Sequence, residues 1–281
     1  MLTALISAVA SAFGLVVDKV GLSRRHIPLG IYVPVLFVLL FAFTVILLPF
    51  GGYVNWDVVF YPNILFYVLL MVVIAIAWNV LFYQSIQKDS VHEHELIVMT
   101  APLLTILLAA MFFPEDFDLR VFILALVASV ALVLGKIERK HFVLSKQTYN
   151  LFLGVILMSL ESIIIRELLH YYSPIALYTV RTFFVAMFFW AYYRPHTQRV
   201  STGSWWFIGL SAALGVTTML TRFYAFESLG IIYTTLISVM APVIVFIASW
   251  EILHERIKAR IIISSAVILV CVALATMYAA S

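Results

Sequence analysis

Long apolar runs alternate with short polar junctions along this chain. Ten runs can be marked, at residues 2–19, 29–50, 63–86, 96–113, 121–137, 149–169, 174–193, 205–228, 234–253 and 261–280. Each approaches the roughly 20 residues that a helix needs to cross a bilayer core. Pro28, Pro62, Pro114, Pro174 and Pro195 lie in or beside junctions, where a missing amide donor costs little. Pro34, Pro102 and Pro242 lie inside runs or near their ends. There a proline should bend the helix and free a carbonyl for another polar group. The pattern predicts an all-α membrane fold of ten transmembrane helices.

Composition agrees. The chain is 64% apolar and 11% charged, against about 45–50% and 25% for a soluble globular chain. Ten spans within 281 residues leave only short loops, so a single membrane domain, 1–281, is expected. The run at Leu2–Val17 has no basic residue before it and is followed by Asp18-Lys19 instead of a small-residue cleavage site, so it reads as the first span and not a signal peptide. The sole cysteine, Cys271, can form no intramolecular disulfide. The net charge of +3 comes from loop lysines and arginines, and no nucleic-acid partner is expected.

The two halves echo each other. Ala101-Pro102 and Ala241-Pro242 are 140 residues apart, and at that offset Glu115 matches Glu255 and Arg120 matches Arg260. Phe82-Tyr83 and Phe223-Tyr224 match at 141. Upstream, Ser11 falls opposite Ser159, Asp18-Lys19 opposite Arg166-Glu167, and Pro28 and Tyr32 opposite Pro174 and Tyr178. Duplication of a five-span unit explains these matches, with repeat one at 1–140 and repeat two at 141–281. Five is odd, so the second copy would sit upside down. Inverted repeats place a site near mid-membrane where the halves meet, and one half rocks against the other.

Residues 82–135, beginning "FYQSIQKD", and 223–275, beginning "FYAFESLG", share an aromatic stretch, a proline-bearing helix and an acidic-basic turn. The turn is "PEDFDLR" (114–120) in one half and "HERIKAR" (254–260) in the other, with Asp116 in place of the usual basic residue. On these motifs the chain resembles the drug/metabolite transporter (DMT) superfamily, of the EamA type with two five-span repeats. The resemblance implies a carrier fold lined by spans three and eight. It leaves the substrate open among amino acids, nucleotide sugars, phosphorylated sugars, choline and drugs.

Thirteen of the 17 lysines and arginines fall in loops after the odd-numbered spans: Lys19, Arg24, Arg25, Lys88, Lys136, Arg139, Lys140, Lys146, Arg194, Arg199, Arg256, Lys258 and Arg260. Arg120 is on the other side, and Arg166, Arg181 and Arg222 are within spans. The positive-inside rule puts the thirteen in the cytoplasm and both termini outside, against the family analogy of cytosolic termini. A multi-pass protein of a prokaryotic cell (inner) membrane is expected.

Charges within spans usually face a partner or a cavity. Glu161, Arg166, Arg181 and Arg222 are all in the second half, while span three of the first half offers Trp78, Asn79, Tyr83 and Gln84. Ser211, Gly215, Thr218 and Arg222 form one helix face, as do Ser7, Ser11, Gly14 and Asp18. These faces would line an aqueous cavity or serve as packing notches. In the first reading Arg222 and Arg181 bind an anionic group, and Thr218, Asn79, Trp78 and Ser11 contribute polar contacts. Glu161 would couple transport to a proton, or else neutralise an arginine in a static pair. Tyr83 and Tyr224 are either a paired aromatic wall or interfacial tyrosines. His92-Glu93-His94-Glu95 lacks zinc-site spacing, and no metal is expected there. The run Lys136–Lys146 reads as a headgroup anchor.

The chain has no Walker A loop, dinucleotide loop or nucleophile elbow. An enzyme, a catalytic residue or a cofactor beyond a coupling ion is therefore not expected. The reading is a secondary active transporter that moves a small polar or anionic metabolite, such as an amino acid or sugar phosphate, by alternating access. The alternatives are a lipid or lipid-linked-precursor flippase and a non-transporting membrane scaffold. The expected partners are a small-molecule substrate and membrane lipid, with the oligomeric state open.

Overall fold

The computed structural model describes residues 1–19, 27–57, 59–88, 97–136, 146–195, 202–245 and 259–280. These residues are helical, with no β-strand among them beyond one isolated bridge. The main helices are α1 (Leu2–Lys19), α2 (Leu29–Leu47), α3 (Pro62–Lys88), α4 (Ala101–Phe112), α5 (Leu119–Lys136), α6 (Lys146–Leu168), α7 (Pro174–Tyr193), α8 (Thr202–Ser238) and α9 (Ala259–Ala280). Their starts follow local chemistry. Ser173 caps α7 by accepting from the Ala176 amide at 3.3 Å, with Pro174 in the first turn. Asp118 caps α5 by accepting from the amides of Arg120 and Val121.

Two boundaries differ from the sequence expectation. Residues 229–233 are not a loop: α8 is interrupted only at Gly230, whose φ of 75° and ψ of 172° suit a residue without a side chain. The stretch Trp205–Val245 has 41 residues. At 1.5 Å per residue an unbroken helix of that length would be about 60 Å long, twice a bilayer core of about 30 Å. Pro102 lies in the first turn of α4, after a turn at Met99 and Thr100. It stands in the first turn of a 12-residue helix, and the turn before it separates that helix from helical Ile97 and Val98. The carbonyl of Ala101 accepts from Ser159 Oγ at 3.3 Å.

Five segments are long and apolar enough to cross a membrane: Leu29–Phe50, Pro62–Ser85, Pro174–Tyr193, Trp205–Val245 and Arg260–Tyr278. Leu2–Asp18, Ala101–Phe112 and Leu119–Gly135 are shorter apolar helices. Leu65, Leu69 and Val73 on α3, and Ile123, Val127, Val130 and Leu134 on α5, are exposed apolar stripes suited to lipid contact. The protein is accordingly an integral membrane protein with several apolar helices.

The packing pairs helices across the two halves. The closest pairings are α1 with α8, α3 with α6, α2 with α7 and α5 with α9. All four run antiparallel. Along α1, Ser7 meets Thr218 and Asp18 meets Ser211 on α8. Trp78 meets Glu161 on α6, and a Cβ on Gly154 would sit 3.3 Å from Leu81. Phe37 stacks on Phe189 with centroids 5.2 Å apart, and Gly30 faces Tyr193. Gly135 faces Ser264, while Arg120 lies over the Tyr278 ring at 5.4 Å.

Two interhelix loops clasp one end of the bundle. The Tyr53 amide donates to Ser173 Oγ at 3.0 Å. The Ser173 amide donates to the Tyr53 carbonyl and the Asn55 amide to the Tyr171 carbonyl, both at 3.0 Å. Val54 and Tyr172 form the isolated antiparallel bridge.

Candidate functional site

The site lies where α3, α6, α7 and α8 converge. Glu161 on α6 and Arg181 on α7 form a buried ion pair, 4% and 2% exposed as side chains. Arg181 Nε donates to Glu161 Oε1 at 2.6 Å and Nη2 donates to Oε2 at 3.2 Å. Trp78 on α3 adds an indole N–H to Oε2 at 2.5 Å. The guanidinium also lies 5.9 Å from the ring centroids of Trp78 and Tyr178. The fork geometry fills the carboxylate's acceptor positions and leaves the pair neutral.

Arg222 on α8 is different. Its Nε is buried and has no hydrogen-bond partner among the described residues. It borders a cavity of about 30 Å³ whose polar lining is completed by Trp78, Glu161, Ser162 and Arg181. That is space for one or two waters. Met158, Ile165, Met219, Phe223 and Phe226 form the apolar part of the wall. Two cations and one anion thus face the same space, with a formal excess of one positive charge.

The remaining candidates are distributed elsewhere. Asn79 Nδ2 donates to the Ala75 carbonyl of its own helix at 2.7 Å. The Thr218 carbonyl accepts from Ser7 Oγ at 2.9 Å, in the α1–α8 seam. Ser11 is part-buried on α1, the helix paired with that seam. Gly14 and Gly215 are close-packing positions in it, where an added Cβ would lie 3.8 Å from Leu214 and 3.0 Å from Leu40. Of the α8 polar face, only Arg222 reaches the cavity. Arg166 lies over the Phe113 ring at 6.0 Å.

Tyr83 is buried, edge-on to Phe82, and within electrostatic reach of Asp18 and Arg181. Tyr224 lies at the clasped end, with its hydroxyl 3.6 Å from where a Gly51 Cβ would be. The two tyrosines therefore stand on opposite sides of the Arg222 cavity and share no wall. His92-Glu93-His94-Glu95, most of Lys136–Lys146 and the start of "HERIKAR" lie outside the described residues. Among the described residues, no cluster of three metal-binding side chains occurs.

One polar group was given no role of its own in the sequence. Asp18 Oδ1 accepts from the Tyr32 hydroxyl at 2.6 Å and from the Ser211 hydroxyl, joining α1, α2 and α8. The facing serine-rich stripes of α1 and α8 were its only sequence signal.

Apolar helices thus surround a charged centre. Residues 148–277, most of the C-terminal half of the chain, match the model of the EamA-like transporter family. None of the curated proteins matches the sequence. Among solved structures, 28 chains are similar. One, described as "Crystal structure of protein", superposes with a TM-score of 0.76 at 13% identity, covering 100% of this chain and 98% of its own. At that identity the likeness is one of fold.

Proposed function

We propose that the chain is a DMT-type secondary carrier for a small organic anion, with Arg222 as the residue that binds the anionic group. One observation carries this reading: the buried Nε of Arg222 borders the cavity with no hydrogen-bond partner among the described residues, while its neighbour Arg181 is already neutralised by Glu161. An uncompensated buried charge is costly in a span and is justified where a ligand supplies the opposite charge. The excess of one positive charge suits a carboxylate or a phosphate. The methionine and phenylalanine wall suits a substrate with an apolar body.

The arriving anion would lie between Arg222 and Arg181 and compete with Glu161 for the latter. Glu161, once displaced, is the carboxylate available to take a coupling proton. Tyr83 and Tyr224 would border the routes to the cavity from its two ends. A space of about 30 Å³ admits water but no metabolite, so loading requires the bundle to open.

Alternating access would come from two inverted five-helix repeats in a ten-span arrangement. The supporting feature is the exchange pattern in the packing: α1 with α8 mirrors α3 with α6, and α2–α7 and α5–α9 are self-paired, all antiparallel. Ala8 and Ala12 of α1 pack against Ala241, mirroring α6 against α4. The loop charges further favour both termini outside. Labelling a cysteine at Ser281 in intact cells should then succeed, and labelling only after permeabilisation would reverse the orientation.

Uptake into proteoliposomes, screened over amino acids, other carboxylates and sugar phosphates, tests the function. Arg222→Ala should abolish uptake with folded protein retained. Wild-type uptake by that variant removes Arg222 from the site.

A further inference from the structure

We propose that Asp18 is a proton-binding site that latches the end of the bundle opposite the loop clasp. The inference rests on the carrier reading above but concerns a different group, three helical turns away. Ser211 and Arg222 are eleven residues apart on α8, or about 16 Å at 1.5 Å per residue.

The latch joins the C-terminal turn of α1, the first turn of α2 and the early part of α8. A single carboxylate oxygen of Asp18 receives two hydroxyls, from Tyr32 and from Ser211. Tyr32 is 1% exposed and Ser211 is 4% exposed. Among the described residues, the groups facing Asp18 are Tyr32 from α2, Ser211 from α8 and, within electrostatic reach, Tyr83 from α3. No cation among them offsets its charge. The segment around Ala241, packed farther along α1, meets Ala8 and Ala12 through the apolar side chains of Ala241, Ile244 and Val245. Glu161 differs: Arg181 neutralises it until substrate arrives.

The ionised carboxylate is an acceptor for both donors, and hydrogen bonds to an ionised acceptor are the strong ones. Adding a proton removes the charge from the carboxylate and weakens both bonds. The three helix ends are then free to part. Closure at this end is therefore favoured at high pH and lost as the proton binds, while the bonds of the clasp at the other end are made by amides, carbonyls and the Ser173 hydroxyl. The proton enters from the side that opens, which makes Asp18 a coupling site in addition to Glu161.

The test uses the full-length protein with Cys271→Ala and Ser162→Cys, which puts a single thiol in the cavity wall. The rate of modification by a polar methanethiosulfonate is read across pH after correction for thiolate fraction, using a free-thiol standard. Corrected labelling should rise about tenfold on acidification, as expected when charge-assisted hydrogen bonds weaken. Asp18→Asn should label at the fast, low-pH rate throughout, and Asp18→Glu should restore the pH profile. Tyr32→Phe removes one donor and should speed labelling at high pH; it serves also if the asparagine variant fails to fold. An unchanged pH profile in Asp18→Asn, or unchanged high-pH labelling in Tyr32→Phe, overturns the proposal. Labelling is independent of substrate. If Asp18 controls it but no anion is taken up and Arg222→Ala changes nothing, the carrier reading fails while the latch stands.

Discussion

Arg222→Met should make the protein more stable and inactive at once. The substitution keeps an unbranched side chain against Met219 and Phe223 and removes the buried guanidinium. In the wild type Nε has no partner, and an unsatisfied buried donor costs about 1–3 kcal/mol. Methionine fills the same apolar wall without that cost, so a gain of about 1–3 kcal/mol follows. For a domain of 150–250 residues, about 2–4 °C accompanies each kcal/mol, so the apparent unfolding midpoint in detergent should rise by several degrees. Uptake of the anion should fall to background in the same preparation. A site that binds ligand trades stability for function in this way. A lowered midpoint would refute the reasoning, because it would mean that the guanidinium is satisfied by the fold.

Glu161→Gln should act in the opposite sense. It leaves Arg181 as an uncompensated buried cation, at a cost of about 3–5 kcal/mol, and adding Arg181→Met should recover much of the lost midpoint. Trp78→Phe deletes the indole donor to Glu161 and should lower stability by about 1–3 kcal/mol, read by the same thermal assay. At Gly135 an added Cβ would lie 2.8 Å from Ser264 Cβ. Gly135→Ala should therefore cost about 1–3 kcal/mol by overpacking, and Ser264→Gly should relieve it; no rescue would show that the α5–α9 contact is not the cause.

Helix positions were legible because lipid demands unbroken apolar runs and prolines mark their starts. The expected run 174–193 coincides with α7, and 2–19 with α1. The break expected between the runs 205–228 and 234–253 falls at Gly230, where one glycine with positive φ, in place of a loop, interrupts the helix. Arg181, Arg222, Glu161 and Trp78 were identifiable as polar groups in apolar spans. Their arrangement was not, since the pairing of Glu161 with Arg181 depends on how α6 and α7 dock. Asn79 shows the limit from the other side: a polar residue in a span can satisfy itself on its own helix through the Ala75 carbonyl. Asp18 stood on a polar helix face, and only the docking of α1 with α2 and α8 brings Tyr32 and Ser211 to it.

The clasp between residues 53–55 and 171–173 is held mainly by peptide groups. Amino-acid replacement there leaves most of the pairing in place, so this rim can drift in sequence while keeping its shape. The same property makes it an internal clock. The amides of Tyr53, Asn55 and Ser173 are shielded together, so deuterium should enter all three with one common rate, set by how often that rim parts.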